Sequence, residues 1–258
     1  MPDLVTHPDL VTRPDLVTRS DSDGIATITL QRPETLNALS PKLFEQLRAL
    51  LDDLAAQPES VAVVVLRGAG RSFSAGNDLT AIQAGERASS PRFQAETIDV
   101  LAALPQPTIA CVHGHCYTGA LEVALACDFI IAAESAKFAD THGKWGMSPT
   151  WGLSQRLPAR VGAARAKEIM FTGRVVSGAE AAAIGLANHC VTDDQLDDTI
   201  RSTALAIADN SWFTSRTDKM LVTASQQLSL ADGLAYEATH SPGAGPDMME
   251  RLAARSKS

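Results

Sequence analysis

The chain has 258 residues, 45% of them hydrophobic, and a net charge of −8. That length buries a substantial core as one domain, or as one domain with an appendage. The acidic balance argues against nucleic acid or an anionic membrane as the main partner, and no apolar run approaches the ~18 residues of a membrane span.

The first nineteen residues hold three near-copies of PDLVT followed by a basic residue, starting at Pro2, Pro8 and Pro14. A period of six with a proline in each unit suits neither a packed helix nor a central strand. Residues 1–23 are therefore expected to be a mobile tail, with the fold starting after Gly24. Ile25 to Leu30 alternates so that Ala26, Ile28 and Leu30 share a face, which predicts a strand. Ser40-Pro41 supplies a helix cap and a first-turn proline. Leu43, Phe44, Leu47, Leu50, Leu51 and Leu54 follow at helical spacing.

Val61 to Leu66 is continuously apolar and rich in β-branched residues, as in a strand covered on both faces. Thr108 to Val112 predicts the next strand, Gly119 to Cys127 a short apolar helix, and Phe129 to Ala132 another strand. From about Ala163 onward helical patterns dominate, through Ala179 to Ile184, Asp193 to Asp209 and Trp212 to Leu228. Strands with interposed helices followed by a helical tail predict an α/β core. The boundaries are set at residues 24–195 for that core and 196–258 for a C-terminal helical region. The start lacks the basic-then-apolar layout of a signal peptide. Cys111, Cys116, Cys127 and Cys190 do not make a disulfide framework in a chain this long, so a reducing cytoplasm is the expected setting.

Several familiar motifs fail on inspection. Gly68-Ala69-Gly70 follows a strand, but Phe73 stands where the dinucleotide fingerprint needs its third glycine, and there is no GK[ST] phosphate loop. Ser72 and Ser74 lack the flanking glycines of a nucleophile elbow. His113, His115 and Cys116 crowd together without partners at helical spacing, so no metal site is expected.

Two other segments carry more chemistry. Arg71-Ser-Phe-Ser-Ala-Gly-Asn-Asp-Leu79 reads as a strand exit with Gly76 in a tight turn, and His113-Gly-His-Cys-Tyr-Thr-Gly-Ala-Leu-Glu122 as a turn entering a helix. Unpaired N–H groups from two such turns can grip one carbonyl oxygen as it gains negative charge. Glu122, in the first helical turn, can act as a base beside that oxygen, or it can simply complement the helix dipole. Spacing alone leaves both open.

Leu30-Gln-Arg-Pro-Glu-Thr-Leu-Asn-Ala-Leu39, the FSAGND segment, the run from His113 to Asp128, Gln155-Arg-Leu157 and Phe171-Thr-Gly173 occur in the order found in the crotonase (enoyl-CoA hydratase/isomerase) family, which the chain resembles over about Gly24 to Val191. The resemblance implies a spiral of repeated ββα units with C-terminal helices that build trimers or hexamers. It implies an oxyanion hole from the backbone N–H groups of Asn77 and Gly119, and Glu122 as a catalytic glutamate. Glu34, Thr35, Leu36, Ala75 and Asp78 would lie along the CoA site. No separate cofactor is implied, because coenzyme A arrives as part of the substrate. Where typical hydratases carry a second glutamate, this chain has His142, a candidate equally for the missing acid–base function and for a polar wall residue, with Asp140 a weaker candidate for that function. The C-terminal stretch from Glu250 lacks the family's usual aromatic ending. The implied activity is hydration of a 2-enoyl-CoA thioester. The alternatives are double-bond isomerisation, other acyl-CoA chemistry of the same family, and weakly catalytic acyl-CoA binding. Trp145, Met147 and Trp151 fit either an acyl pocket or the core.

Overall fold

The computed structural model describes residues 15–255. In chain order the elements are strands β1 (Val17–Ser22) and β2 (Ile25–Leu30), helix α1 (Pro41–Ala56), β3 (Val63–Gly68), α2 (Leu79–Gln83), α3 (Phe93–Ala103), β4 (Thr108–Val112), β5 (His115–Tyr117) and α4 (Gly119–Ala126). Then come β6 (Phe129–Ala133), β7 (Lys137–Ala139), α5 (Leu153–Val161), α6 (Ala163–Thr172), β8 (Val176–Ser177), α7 (Gly178–Ala183), β9 (His189–Val191), α8 (Leu196–Ala208), α9 (Trp212–Ser225), α10 (Leu230–His240) and α11 (Met248–Arg255).

The strands form a six-stranded sheet in the order β1-β2-β3-β4-β6-β9 and a small sheet in the order β5-β7-β8. All pairs of the larger sheet from β2 onward are parallel. In its middle the chain lays one strand in the large sheet and one in the small sheet before a helix returns it. β4-β5-α4 and β6-β7-α5 are two such turns, and this is the ββα spiral expected from the sequence.

Both faces of the central strands are covered, which explains the continuous apolar run at Val61 to Leu66. Ile28, Val64, Leu66, Ala110, Val112 and Ile130 pack on one side against α1, α3 and α4 residues such as Phe44, Leu101 and Leu121. Ile25, Val63, Val65, Ile109, Cys111 and Ile131 face the other way, onto Leu196, Ile200 and Ala204 of α8. Alternate residues of one strand thus feed two cores. The helical region assigned to residues 196–258 is corrected accordingly: α8 is part of the core, because its apolar stripe is what covers the second face. The exposed helical region starts at α9.

A second correction concerns the N-terminus. The first two repeats lie outside the described residues, but the third does not belong to a tail. Val17 to Ser22 pairs antiparallel with β2 from Val17↔Leu30 to Ser22↔Ile25. Proline ends the repeat's freedom to pair only at its own position; the Leu16-Val17 that follows is apolar, and Val17 is buried while Leu16 packs on the core. Gln46 Oε1 of α1 accepts the N–H groups of Leu16 and Val17 at 2.7 and 3.1 Å. The antiparallel strand also covers the edge that the parallel sheet would otherwise expose. Among the described residues no helix is long and apolar enough to cross a membrane.

Candidate active site

The two expected turns meet at the end of the sheet. Phe73 N–H donates to His113 O at 2.7 Å, and Ser74 N–H to His115 O at 2.8 Å, so the FSAGND segment runs beside β5. Asn37 is fully buried and organises the approach. Its Nδ2 donates to Ala69 O and Ser72 O, both at 2.8 Å, and its Oδ1 accepts the Arg32 N–H. Gly76 sits at φ +94° with no room for a side chain: a Cβ there would fall 2.4 Å from Tyr117 O and 3.4 Å from Gly119 N. Glycine is required twice over, and this close approach sets the Asn77 turn against the start of α4. Neither the Asn77 nor the Gly119 N–H meets an acceptor among the described residues.

Thr118, immediately before α4, has φ +52° and ψ −107°, a conformation costly for a β-branched residue. It is held there from two sides. Its N–H donates to Ala139 O at 2.8 Å, and its hydroxyl lies 2.5 Å from the Thr141 hydroxyl while accepting the Thr141 N–H at 3.0 Å. The turn that presents Gly119 is therefore tied to the segment that carries His142.

Glu122 is 1% exposed within a helix whose every residue is buried. Its Oε1 accepts the N–H groups of Trp151 and Leu153 at 3.0 and 3.1 Å. Its Oε2 faces His142 Nε2 at 3.9 Å. Burial pushes the carboxyl above its ordinary range; the Leu153 N–H, the His142 ring and the Trp151 N–H oppose that rise, and nearby Asp140 adds to it. The balance is a raised carboxyl. His142 is buried, and its Nδ1 lies 2.7 Å from Asp140 Oδ1. Asp140, His142 and Glu122 thus lie together as a buried cluster of ionisable side chains.

The residues assigned to the CoA site gather less tightly. Pro33–Thr35 is a short 3-10 turn, with Glu34 and Thr35 exposed, and Ala75 N–H donates to Leu36 O at 2.8 Å. A cavity of about 650 Å³ is lined by Thr35, Ala38, Lys42, Asp78 and Leu79 among others, with Leu16 on its wall. It adjoins the Asn77 turn, and Glu122 and His142 do not line it. Asp78 has structural work as well: it caps α2 by accepting the Ala81 N–H at 3.0 Å and pairs with Arg32 at 2.7 Å. Burial alone would raise its carboxyl, but the Ala81 N–H and Arg32 outweigh burial and hold it below the usual range.

Trp145 and Met147 are exposed, while Trp151 packs edge-on against Phe44, ring centroids 5.1 Å apart, and over Gly119, where a Cβ would strike its ring at 2.4 Å. Sequence reasoning missed the Trp151 and Leu153 N–H groups that hold Glu122, and the Thr118–Thr141 tie. Burial lifts the thiols of Cys111 and Cys127 to about 12 and that of Cys116 well above its ordinary value, which leaves no thiolate nucleophile there.

The comparisons with known proteins agree with this fold. The family model described as enoyl-CoA hydratase/isomerase matches residues 20–242. An Arabidopsis thaliana protein described as "Probable enoyl-CoA hydratase 1, peroxisomal" is 34% identical over 217 residues, 84% of this chain and 82% of its own. A crystal structure of enoyl-CoA hydratase from Bacillus anthracis superposes with a TM-score of 0.88 at 33% identity, covering 94% of this chain and 96% of that one. A monofunctional enoyl-CoA isomerase from M. smegmatis superposes with a TM-score of 0.74 at 36% identity, covering 85% and 98%. With the ββα spiral, the two facing turns and the buried glutamate in place, the chain belongs to the enoyl-CoA hydratase/isomerase (crotonase) family, whose members act on acyl-CoA thioesters.

Proposed function

We propose that this chain hydrates the double bond of a 2-enoyl-CoA thioester. One observation carries the reading: Glu122 Oε2 and His142 Nε2 face each other at 3.9 Å beside two unpaired backbone N–H groups. That gap is too long for a direct hydrogen bond and suits one small molecule bonded to both. The thioester oxygen accepts from Asn77 and Gly119 N–H, which stabilise the enolate as it forms. Glu122 removes a proton from water as the oxygen attacks the β-carbon, and His142 Nε2 gives a proton to the α-carbon. The proton left on Glu122 returns to His142 through the next water, so the cycle closes without another reactant. Glu34, Thr35, Leu36, Ala75 and Asp78 are assigned to the path of the CoA portion; Thr35 and Asp78 line the cavity beside the Asn77 turn, which supports the reading for those two.

Identity does not separate hydratase from isomerase, since a relative of each kind lies at a similar level. An isomerase needs a single base, and in that group it usually stands at the position of His142; here two acid–base groups face one another. The wider reading includes self-association into a trimer or hexamer, supported by Leu230 and Leu234, which are 82% and 60% exposed on α10. It also includes a cytoplasmic setting, supported by bacterial relatives of the same kind. The deciding experiment is a hydration assay over crotonyl-CoA and longer 2-enoyl-CoA esters, with 3-enoyl-CoA esters alongside. Turnover of 3-enoyl-CoA without hydration of any 2-enoyl-CoA would replace this reading by isomerisation.

A further inference from the structure

Asp140 touches the nitrogen of His142 that points away from Glu122. Its Oδ1 accepts the His142 backbone N–H at 3.0 Å and lies 2.7 Å from the ring Nδ1. A carboxylate oxygen only accepts, so in that contact the hydrogen sits on Nδ1. The other nitrogen, Nε2, is left facing Glu122. Histidines used for proton transfer or metal binding are commonly held this way, with the partner of one nitrogen deciding what the other does.

From this geometry we infer that Asp140 is a positioning residue: it fixes the ring orientation and the Nδ1–H tautomer, so that Nε2 is the nitrogen that exchanges a proton with the substrate. The kinetic consequence rests on the hydratase reading above; the tautomer does not. The sequence offered Asp140 as an alternative acid, but its contact is with the far side of the imidazole. When Nε2 gives up its proton, the ring that remains is the neutral Nδ1–H form, already satisfied by Asp140. No rearrangement is needed before the proton returns. Charged groups in described contact with the ring come from two elements, Glu122 from α4 and Asp140 from the segment after β7, with Lys144 on the same turn.

A purely structural role would have Asp140 only closing the local turn through the His142 backbone N–H. That turn has other tethers: Thr141 N–H donates to the Thr118 hydroxyl, Lys144 N–H to Thr141 O at 3.0 Å and Met147 N–H to His142 O at 3.1 Å. The ring contact is the part of Asp140's bonding that nothing else supplies.

The test uses full-length protein labelled with ¹⁵N in histidine, without ligand, at alkaline pH. The His142 signals are identified by their loss in His142→Gln. The expected result is a protonated Nδ1 and an unprotonated Nε2. Asp140→Ala should move the ring toward the Nε2–H form that free imidazole favours, and lower kcat by about 100-fold with KM little changed. Asp140→Asn keeps an oxygen for both donors, and should hold the parent tautomer and melting temperature while recovering about ten-fold of that loss. An Nε2–H ring in the parent protein would overturn the inference even if neither variant folds. So would an Asp140→Ala spectrum unchanged from the parent. If the parent hydrates no enoyl-CoA, the hydratase reading fails on its own and the tautomer still decides whether Asp140 positions the ring.

Discussion

α4 and the C-terminal helices put their apolar side chains to opposite ends. Every residue of α4 is buried, including Glu122, whereas α9 and α10 bury none of theirs fully. In α4 the fold encloses a carboxylate, gives it two backbone donors and sets it against a histidine. In α9 to α11, Val222, Leu230, Leu234, Met249 and Leu252 stand more than half exposed. A single chain thus accepts cost in both places: a desolvated acid at one, hydrated apolar surface at the other. The first cost is the kind that active sites carry, and the second is the kind that marks an interaction surface.

The largest effect is expected where the enclosed carboxylate is removed. Glu122→Gln keeps an oxygen for the Trp151 and Leu153 N–H groups but loses the proton acceptor. Hydration should fall by about 10²–10⁴-fold with KM little changed. Because Glu122 titrates above the ordinary carboxylate range, the parent rate should fall on the acid side at a pH higher than a free carboxylate would dictate, as the base becomes protonated. A variant that hydrates at the parent rate would remove α4 from the chemistry.

Next comes the edge strand, which belongs with the buried region. Deleting residues 1–19 takes away the outer half of β1, from Val17↔Leu30 to Arg19↔Ile28, and the burial of Val17. Burial of one valine is worth about 1.5–3 kcal/mol, and each kcal/mol moves the melting point by about 2–4 °C in a chain of this size. Deleting residues 2–13 leaves those contacts in place. Calorimetry on both truncations should show a large drop for the first alone; equal melting points would show that β1 contributes nothing.

A smaller change in stability, but a change in mass, is expected at the exposed helices. Leu230→Asp with Leu234→Asp alters side chains already 82% and 60% exposed, so the fold should shift by no more than about 0.5 kcal/mol. Light scattering should then report a fall from a trimeric or hexameric mass to that of one chain. A parent protein that is already monomeric at micromolar concentration would sever the link between the exposed leucines and assembly.

The contrast also shows what a sequence can convey. β2 and β4 have the bounds their alternation and β-branched runs indicate, and α1 starts at the Ser40 cap, whose hydroxyl accepts the Leu43 N–H at 3.3 Å. These are local signals, legible within one turn or one strand. β5, β7 and β8 are two or three residues long, too short for any periodicity, and exist because the spiral stacks them. β1 was hidden by its resemblance to two repeats that precede it. At the site, Glu122, His142, Asn77 and Gly119 were reachable by resemblance to known motifs. The N–H groups that hold Glu122 come from Trp151 and Leu153, 29 and 31 residues away, and no local pattern announces a backbone donor. Asp140 and His142 are two apart, close enough that their bond can be suspected from spacing, but not which ring nitrogen it uses.

The smallest predicted effect sharpens the comparison from the side of stability. A carboxyl raised by burial binds its proton more tightly in the folded chain than in the unfolded one. Between the unfolded value, near the ordinary range, and the raised folded value, the folded state holds more protons, so stability falls as pH rises through that window. Below it both states are protonated and the penalty is absent; above it the penalty is complete. Glu122→Gln removes the titration while keeping the oxygen that the two N–H groups need. The variant should therefore melt slightly above the parent at neutral pH. That gain should shrink toward zero as the pH falls below the ordinary carboxylate range. The His142 ring opposes the rise, so His142→Ala should widen the gap between parent and Gln variants when placed in both backgrounds. Thermal melts of the four proteins across pH measure all of this without any substrate. A Glu122→Gln variant less stable than the parent at neutral pH would mean that the carboxylate's partners more than offset its desolvation. In that event α4 holds Glu122 as a structural acid, and the cost assigned here to function would vanish.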